Sequence, residues 1–132
     1  MKYLSILILF VTGLFPSCQK SPINGDLDGQ WQVLKVTPTP EEVFETRIYI
    51  CFSLHTCQLT AYDLGPWTSG NILKFSPSTL ELEFPHANSA ESVKKLRQYG
   101  INSSPVTFSI ESLTKKTLIL RDGETIIELR KF

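Results

Sequence analysis

Residues 117–132 read TLILRDGETIIELRKF. Two runs rich in β-branched residues, Thr117 to Arg121 and Glu124 to Phe132, flank Asp122-Gly123. Asp-Gly between such runs is a strong hairpin signal, because a type I′ turn needs positive φ at both central residues. The chain therefore ends on an antiparallel strand pair.

Working back, the same rhythm continues. Val106 to Ile110 alternates, with Val106, Phe108 and Ile110 on one face. Leu80 to Phe84 sets Leu80, Leu82 and Phe84 against Glu81 and Glu83, and Ser76-Pro77-Ser78 turns it back on Asn71 to Phe75. Thr56 to Tyr62, Arg47 to Leu54 and Gln30 to Val36 complete the strands, with Pro38 and Pro40 ending the last of these. Leu64-Gly65-Pro66 reads as a break. One segment departs from the rhythm: Asn88 to Tyr99 places Ala90, Val93 and Leu96 at helical spacing, with Ser89 or Asn88 as cap and Gly100 as stop. The expectation is an all-β fold of eight short antiparallel strands, closed as an up-and-down barrel, with one short helix at about 88–99 between strands. Closure removes unpaired edges, and eight strands leave room for packed side chains or one small ligand.

The N-terminus says where the chain works. Met1 to Ser17 carries Lys2, then an apolar run from Leu4 to Phe15, and Cys18 follows at once. The run is short for a bilayer span, which takes about 20 residues, and has the layout of a cleaved export signal. Leu14-Phe15-Pro16-Ser17-Cys18 resembles the bacterial lipobox, in which the cysteine is acylated and becomes the new N-terminus; Phe15 and Pro16 depart from its stricter form. Two readings stand, a lipid anchor on Cys18 or an ordinary secretory signal with a cysteine nearby. Polar residues 19–28 (QKSPINGDLD) then form a tether, and the domain proper runs over 29–132. An anchored chain of this kind belongs in the bacterial cell envelope, at the outer membrane. The 132 residues hold 13 basic and 13 acidic side chains, so there is no electrostatic footprint for nucleic acid.

Leu27-Asp28-Gly29-Gln30-Trp31 resembles the G-x-W element that opens the first strand of lipocalins and related calycin barrels. In that family a basic residue of the last strand packs over the Trp at the closed end of the barrel. The resemblance carries that role to Lys131, which shares a face with Ile127 and Leu129, with Arg130 as the second choice. The other reading of Trp31 is a plain core aromatic. The chain is similar to small lipocalin-like lipoproteins of Bacteroides-type bacteria, except that its helix precedes the last three strands, whereas ordinary lipocalins place theirs after the barrel. The resemblance implies a non-enzymatic binder of a small apolar ligand, with no cofactor.

Alternation nominates Ile50, Phe52, Leu59, Leu82, Phe84, Phe108 and Leu120 as the pocket wall, or as a core packed on itself. Cys51 and Cys57 could bridge a hairpin centred on Leu54. A turn at Leu54-His55 instead sets Ile48, Ile50 and Phe52 opposite Ala61, Leu59 and Cys57, which puts Cys51 on the outer face and forbids the bond. With His55 the two thiols make only three soft donors, without the paired spacing of a zinc site. His86 shows no partner, and nothing marks a nucleophile elbow or a metalloprotease helix. Lys94, Lys95 and Arg97 read as a wet helix face, or as a contact for headgroups or an acidic partner. The alternative function is an envelope interaction module with a filled core, working through residues 62–70, where Trp67 is either an exposed anchor or a plug at a barrel end.

Overall fold

The structure, a computed structural model, describes residues 23–132; Cys18, the leader and the first part of the tether lie outside them. A 3-10 turn (Gly25–Leu27) leads into eight strands: β1 (Gly29–Thr37), β2 (Ile48–Ser53), β3 (Thr56–Ala61), β4 (Gly65–Ser76), β5 (Thr79–Glu83), β6 (Val106–Leu113), β7 (Thr117–Asp122) and β8 (Thr125–Lys131). One helix, α1 (Ala90–Gln98), lies between β5 and β6. Each strand pairs antiparallel with its neighbour, and β8 returns to β1, so the sheet closes as an up-and-down barrel. Inward positions follow the period of two, which puts Ile50, Phe52, Leu59, Leu82, Phe108 and Leu120 in one buried core.

The barrel has two unlike ends. At one, the β2–β3, β4–β5 and β6–β7 turns meet the chain's entry at Gly25–Leu27 and its exit at Lys131. At the other, the long β1–β2 loop (38–47) and α1 lie over the mouth. Ser89 caps α1 by accepting from Ser92 N–H at 3.1 Å. Gly100 ends it at φ 84, and an added Cβ there would come within 2.5 Å of Ile127. The helix thus packs directly on the top of β8.

Three details differ from the sequence reading, and the cysteines follow the register with the turn at Leu54-His55. β4 begins at Gly65 rather than Asn71: Pro66 pairs with Thr60 beside a bulge at Trp67 in β4 itself, where a strand's first residues tolerate proline. The β7–β8 turn is centred on Gly123-Glu124, because Asp122 pairs with Thr125. Gly123 has φ 60, and Glu124 is not among the residues with positive φ. That is the pattern of a type II′ turn rather than type I′. Packing begins before Gly29: Leu27 is fully buried and Asn24 is bonded to the barrel, so residues 24–28 are part of the domain. Cys51 and Cys57 are both free, because Phe52 faces Cys57 and Cys51 faces Gln58, leaving the thiols on opposite faces of the sheet.

Candidate functional site

The closed end is built around Trp31, which is fully buried. Its indole N–H donates to the Leu27 carbonyl at 2.8 Å. Lys131 reaches across from β8, with Nζ 4.5 Å from the ring centroid. The same ammonium donates to the carbonyls of Asp26 and Asp28, at 2.8 and 2.5 Å. Burial holds the Lys131 amine below its ordinary value, and the nearby Asp26 and Asp28 carboxylates oppose that shift. Arg130 points outward, with a guanidinium N–H 3.5 Å from the Gln32 side-chain oxygen.

The middle of the barrel is full. Ile50, Phe52, Leu59, Leu82, Phe84, Phe108 and Leu120 are each at most 1% exposed. A side chain lining even a water-sized void would keep free surface, so these seven pack on one another rather than around a ligand. Trp31, Phe52, Phe84 and Phe108 supply much of the filling volume. This corrects the expectation of a central pocket at those positions. Cys57 shares the core, and burial pushes its thiol up to about 12.

Space lies instead at the helix-covered end. β1 pairs with β8 up to Thr37, but with β2 only from Gly29 to Gln32. Above Gln32 and Tyr49 the two strands part, next to the bulge between Val33 and Lys35. A cleft of about 370 Å³ opens there, lined by Val33, Val36, Phe44 and Ile48, with Gln98 of α1 among its walls and Lys35 and Arg47 at its edge. Gln98 Oε1 is buried without a hydrogen-bond partner. An amide oxygen left so costs about 1–3 kcal/mol. On the other side of Thr39-Pro40 a second cavity of about 360 Å³ is polar, lined by Glu41, Glu42, Lys94, Arg97 and Asn102.

Trp67 belongs to this end as a support. Its indole N–H donates to the Tyr99 hydroxyl at 3.0 Å, and that hydroxyl donates to the Thr60 carbonyl at 2.8 Å. Lys95 Nζ lies 5.3 Å from the Trp67 ring centroid, and Phe44 meets Tyr99 edge-on at 5.7 Å. Of the two sequence readings, the plug describes Trp67; its polar edge is engaged within the domain. Burial raises the Tyr99 phenol to about 12, and the Trp67 bond opposes this.

A family model described as a lipocalin-like domain matches residues 10–132. The chain belongs to this lipocalin-like family. Two solved structures share the fold. A lipocalin-like protein from Bacteroides uniformis is 24% identical, with a TM-score of 0.59 over 82% of this chain and 100% of that one. An uncharacterized protein from Bacteroides eggerthii is 18% identical, with a TM-score of 0.61 over 80% of this chain and 99% of that one. No curated protein matches.

In this lipocalin-like barrel the remaining sequence candidates are scattered. His55 sits in the exposed β2–β3 turn and His86 in the exposed β5–α1 connection. Among the described residues no three His, Cys, Asp or Glu side chains gather as metal ligands would. Glu83 accepts from the Asn71 side chain at 2.9 Å. Lys94 pairs with Glu42 at 4.0 Å and Lys95 with Glu91 at 3.9 Å. No helix among the described residues is long and apolar enough to cross a membrane. Phe44, Gln98 and Tyr99 were not nominated from sequence. Tyr99 continues the Ala90-Val93-Leu96 spacing by one more step, which is a readable signal; the other two carry none.

Proposed function

We propose that this chain is a lipid-anchored, non-enzymatic binding domain of the bacterial envelope that takes a small ligand at the helix-covered end of its barrel. One observation carries the reading: the parting of β1 and β2, which opens a cleft with Val33, Val36, Phe44 and Ile48 in its wall. The ligand that fits has an apolar body, to cover Val33, Val36, Phe44 and Ile48. The filled middle argues for this edge site over a central one. The leader and Cys18 supply the envelope location and the anchor.

The test is titration with an apolar fluorescent dye, 1-anilinonaphthalene-8-sulfonate, against the wild type and Val33→Trp, which fills the cleft. Saturable binding weakened at least about tenfold, a difference of about 1.4 kcal/mol, is the expected result. Equal binding by both proteins refutes the site. A second reading, a protein-interaction module, draws on the exposed Val43, Tyr62 and Leu64 at the same end. Under that reading Tyr62→Ser removes a captured envelope protein while dye binding is unchanged.

A further inference from the structure

We propose that the closed end of the barrel is a membrane-facing surface, seated on the headgroups of the bilayer that holds the anchor, so that the cleft faces away from it. The proposal rests on the reading of Cys18 as the lipidated residue.

The first support is where the chain enters. Asn24 Nδ2 donates to the Leu54 carbonyl and to Asp28 Oδ1, both at 2.7 Å, so the chain is fastened to the closed end from Asn24 onward. Cys18 and Ile23 are close in sequence, and even fully extended that segment spans at most about 18 Å. β1, with nine residues, is about 30 Å long, which at a strand tilt of about 40° makes the barrel about 23 Å tall. The tether is shorter than the barrel it holds. The closed end therefore stays within reach of the bilayer, while the opposite end reaches it only if the domain lies flat.

The second support is what that end presents. Ile23 is 54% exposed and Leu54 58% exposed at its tip, and Phe132, 68% exposed, lies on the adjoining flank against Tyr49. Leu54 holds φ 56, a left-handed turn position that favours glycine or asparagine. A leucine kept there, pointing into water, gains nothing within the fold. Lys115 and Lys116 occupy the β6–β7 turn at the same end, where the Lys116 carbonyl accepts from Lys131 N–H at 2.9 Å. Neither lysine pairs with a carboxylate among the described residues. The exposed anion nearby, Asp26, sits beside the Lys131 ammonium. Exposed aliphatic side chains and a turn with two unpaired lysines at the same end suit an interface of apolar boundary and anionic headgroups.

The experiment uses the acylated protein on vesicles of phosphatidylethanolamine and phosphatidylglycerol. Flotation reports the anchor. Lysine acylation by a water-soluble reagent, read by mass spectrometry, reports orientation, with the unacylated chain from Gln19 onward, which keeps the whole barrel, as reference. Floating protein is expected to label about fivefold more slowly at Lys115 and Lys116 than the reference, the factor matching about 1 kcal/mol of lipid attraction per cation. Lys94, at the other end, is expected to label equally in both. The double variant Leu54→Ser, Phe132→Ser is expected to float and lose the protection. Flotation with no protection, or with protection of Lys94 instead, overturns the orientation and leaves the anchor standing. Failure to float overturns the anchor reading and this proposal with it.

Discussion

Replacing Lys131 by methionine keeps most of the aliphatic stem over Trp31 and removes only the ammonium. Two charge-assisted hydrogen bonds go with it, to Asp26 and Asp28 carbonyls, together with the cation above the indole. Hydrogen bonds to a charged group contribute about 1.5–3 kcal/mol each, and a cation over an aromatic face about 0.5–2 kcal/mol. Against this stands the desolvation that already depresses the Lys131 amine. The Asp26 carbonyl, near solvent, also recovers water. A net loss of about 2 kcal/mol follows, or a fall in Tm of about 8–12 °C for a domain of this size. The loss has a location as well as a size. The segment Asn24–Asp28 is held down by Lys131 and by its bonds to Leu54 and Trp31, so the amide of Leu27, which donates to the Asn24 carbonyl, is expected to exchange faster. Thermal unfolding by circular dichroism and amide exchange by NMR measure the two effects. A Tm shift below about 2 °C with unchanged exchange at Leu27 refutes the role assigned to the ammonium.

Three further outcomes follow from the packing. Tyr99→Phe breaks the relay from Trp67 through the hydroxyl to the Thr60 carbonyl, leaving an indole N–H and a carbonyl unpaired; a loss of about 1–2 kcal/mol in urea unfolding and a shift in Trp67 fluorescence are expected. Gly70→Ala drives a Cβ to within 2.2 Å of the Glu83 carbonyl and 2.7 Å of the Phe84 ring, so loss of at least about 3 kcal/mol, read as insoluble or unfolded protein, is expected. Stability also declines in alkali. The Cys57 thiol ionises near 9.0 in the unfolded chain and about 12 in the fold, and the Tyr99 phenol near 10.0 and about 12. Between those values the unfolded chain has released protons that the fold retains, so stability falls as pH rises from about 9 to 12, by about 1–3 kcal/mol per group. Lys131, depressed rather than raised, works in the opposite direction. Denaturation at pH 8 and pH 11 checks the sum, and Cys57→Ala flattens the part that begins at pH 9.

The barrel was legible because alternation is a property of single strands. Ile48, Ile50 and Phe52 face Ala61, Leu59 and Cys57, as placing the turn at Leu54-His55 requires. The β4 start was hidden because Pro66 opens the strand beside a bulge at Trp67, and a bulge is a property of the pair rather than of one strand's alternation. Alternation also says which way Phe84 and Phe108 point, but not whether the side chains they meet leave a gap. The cleft lay beyond reading for a related reason. It exists where β1 follows β8 and abandons β2, and neither Val33 nor Gln98 marks that choice in its own neighbourhood.

The seam between β1 and β8 has a consequence for how the chain matures. Trp31 pairs with Lys131, and Phe132 N–H donates to the Gln30 carbonyl, so the first strand waits for the last two residues. A nascent chain emerging N-terminus first can form its hairpins in order, but the sheet stays open until the C-terminus arrives. Loop-closure entropy across nearly the whole domain must be met in that step, which makes it a natural late barrier. Until then both terminal strands carry a free edge. The chain thus depends on being kept apart from its own copies for the whole length of its synthesis.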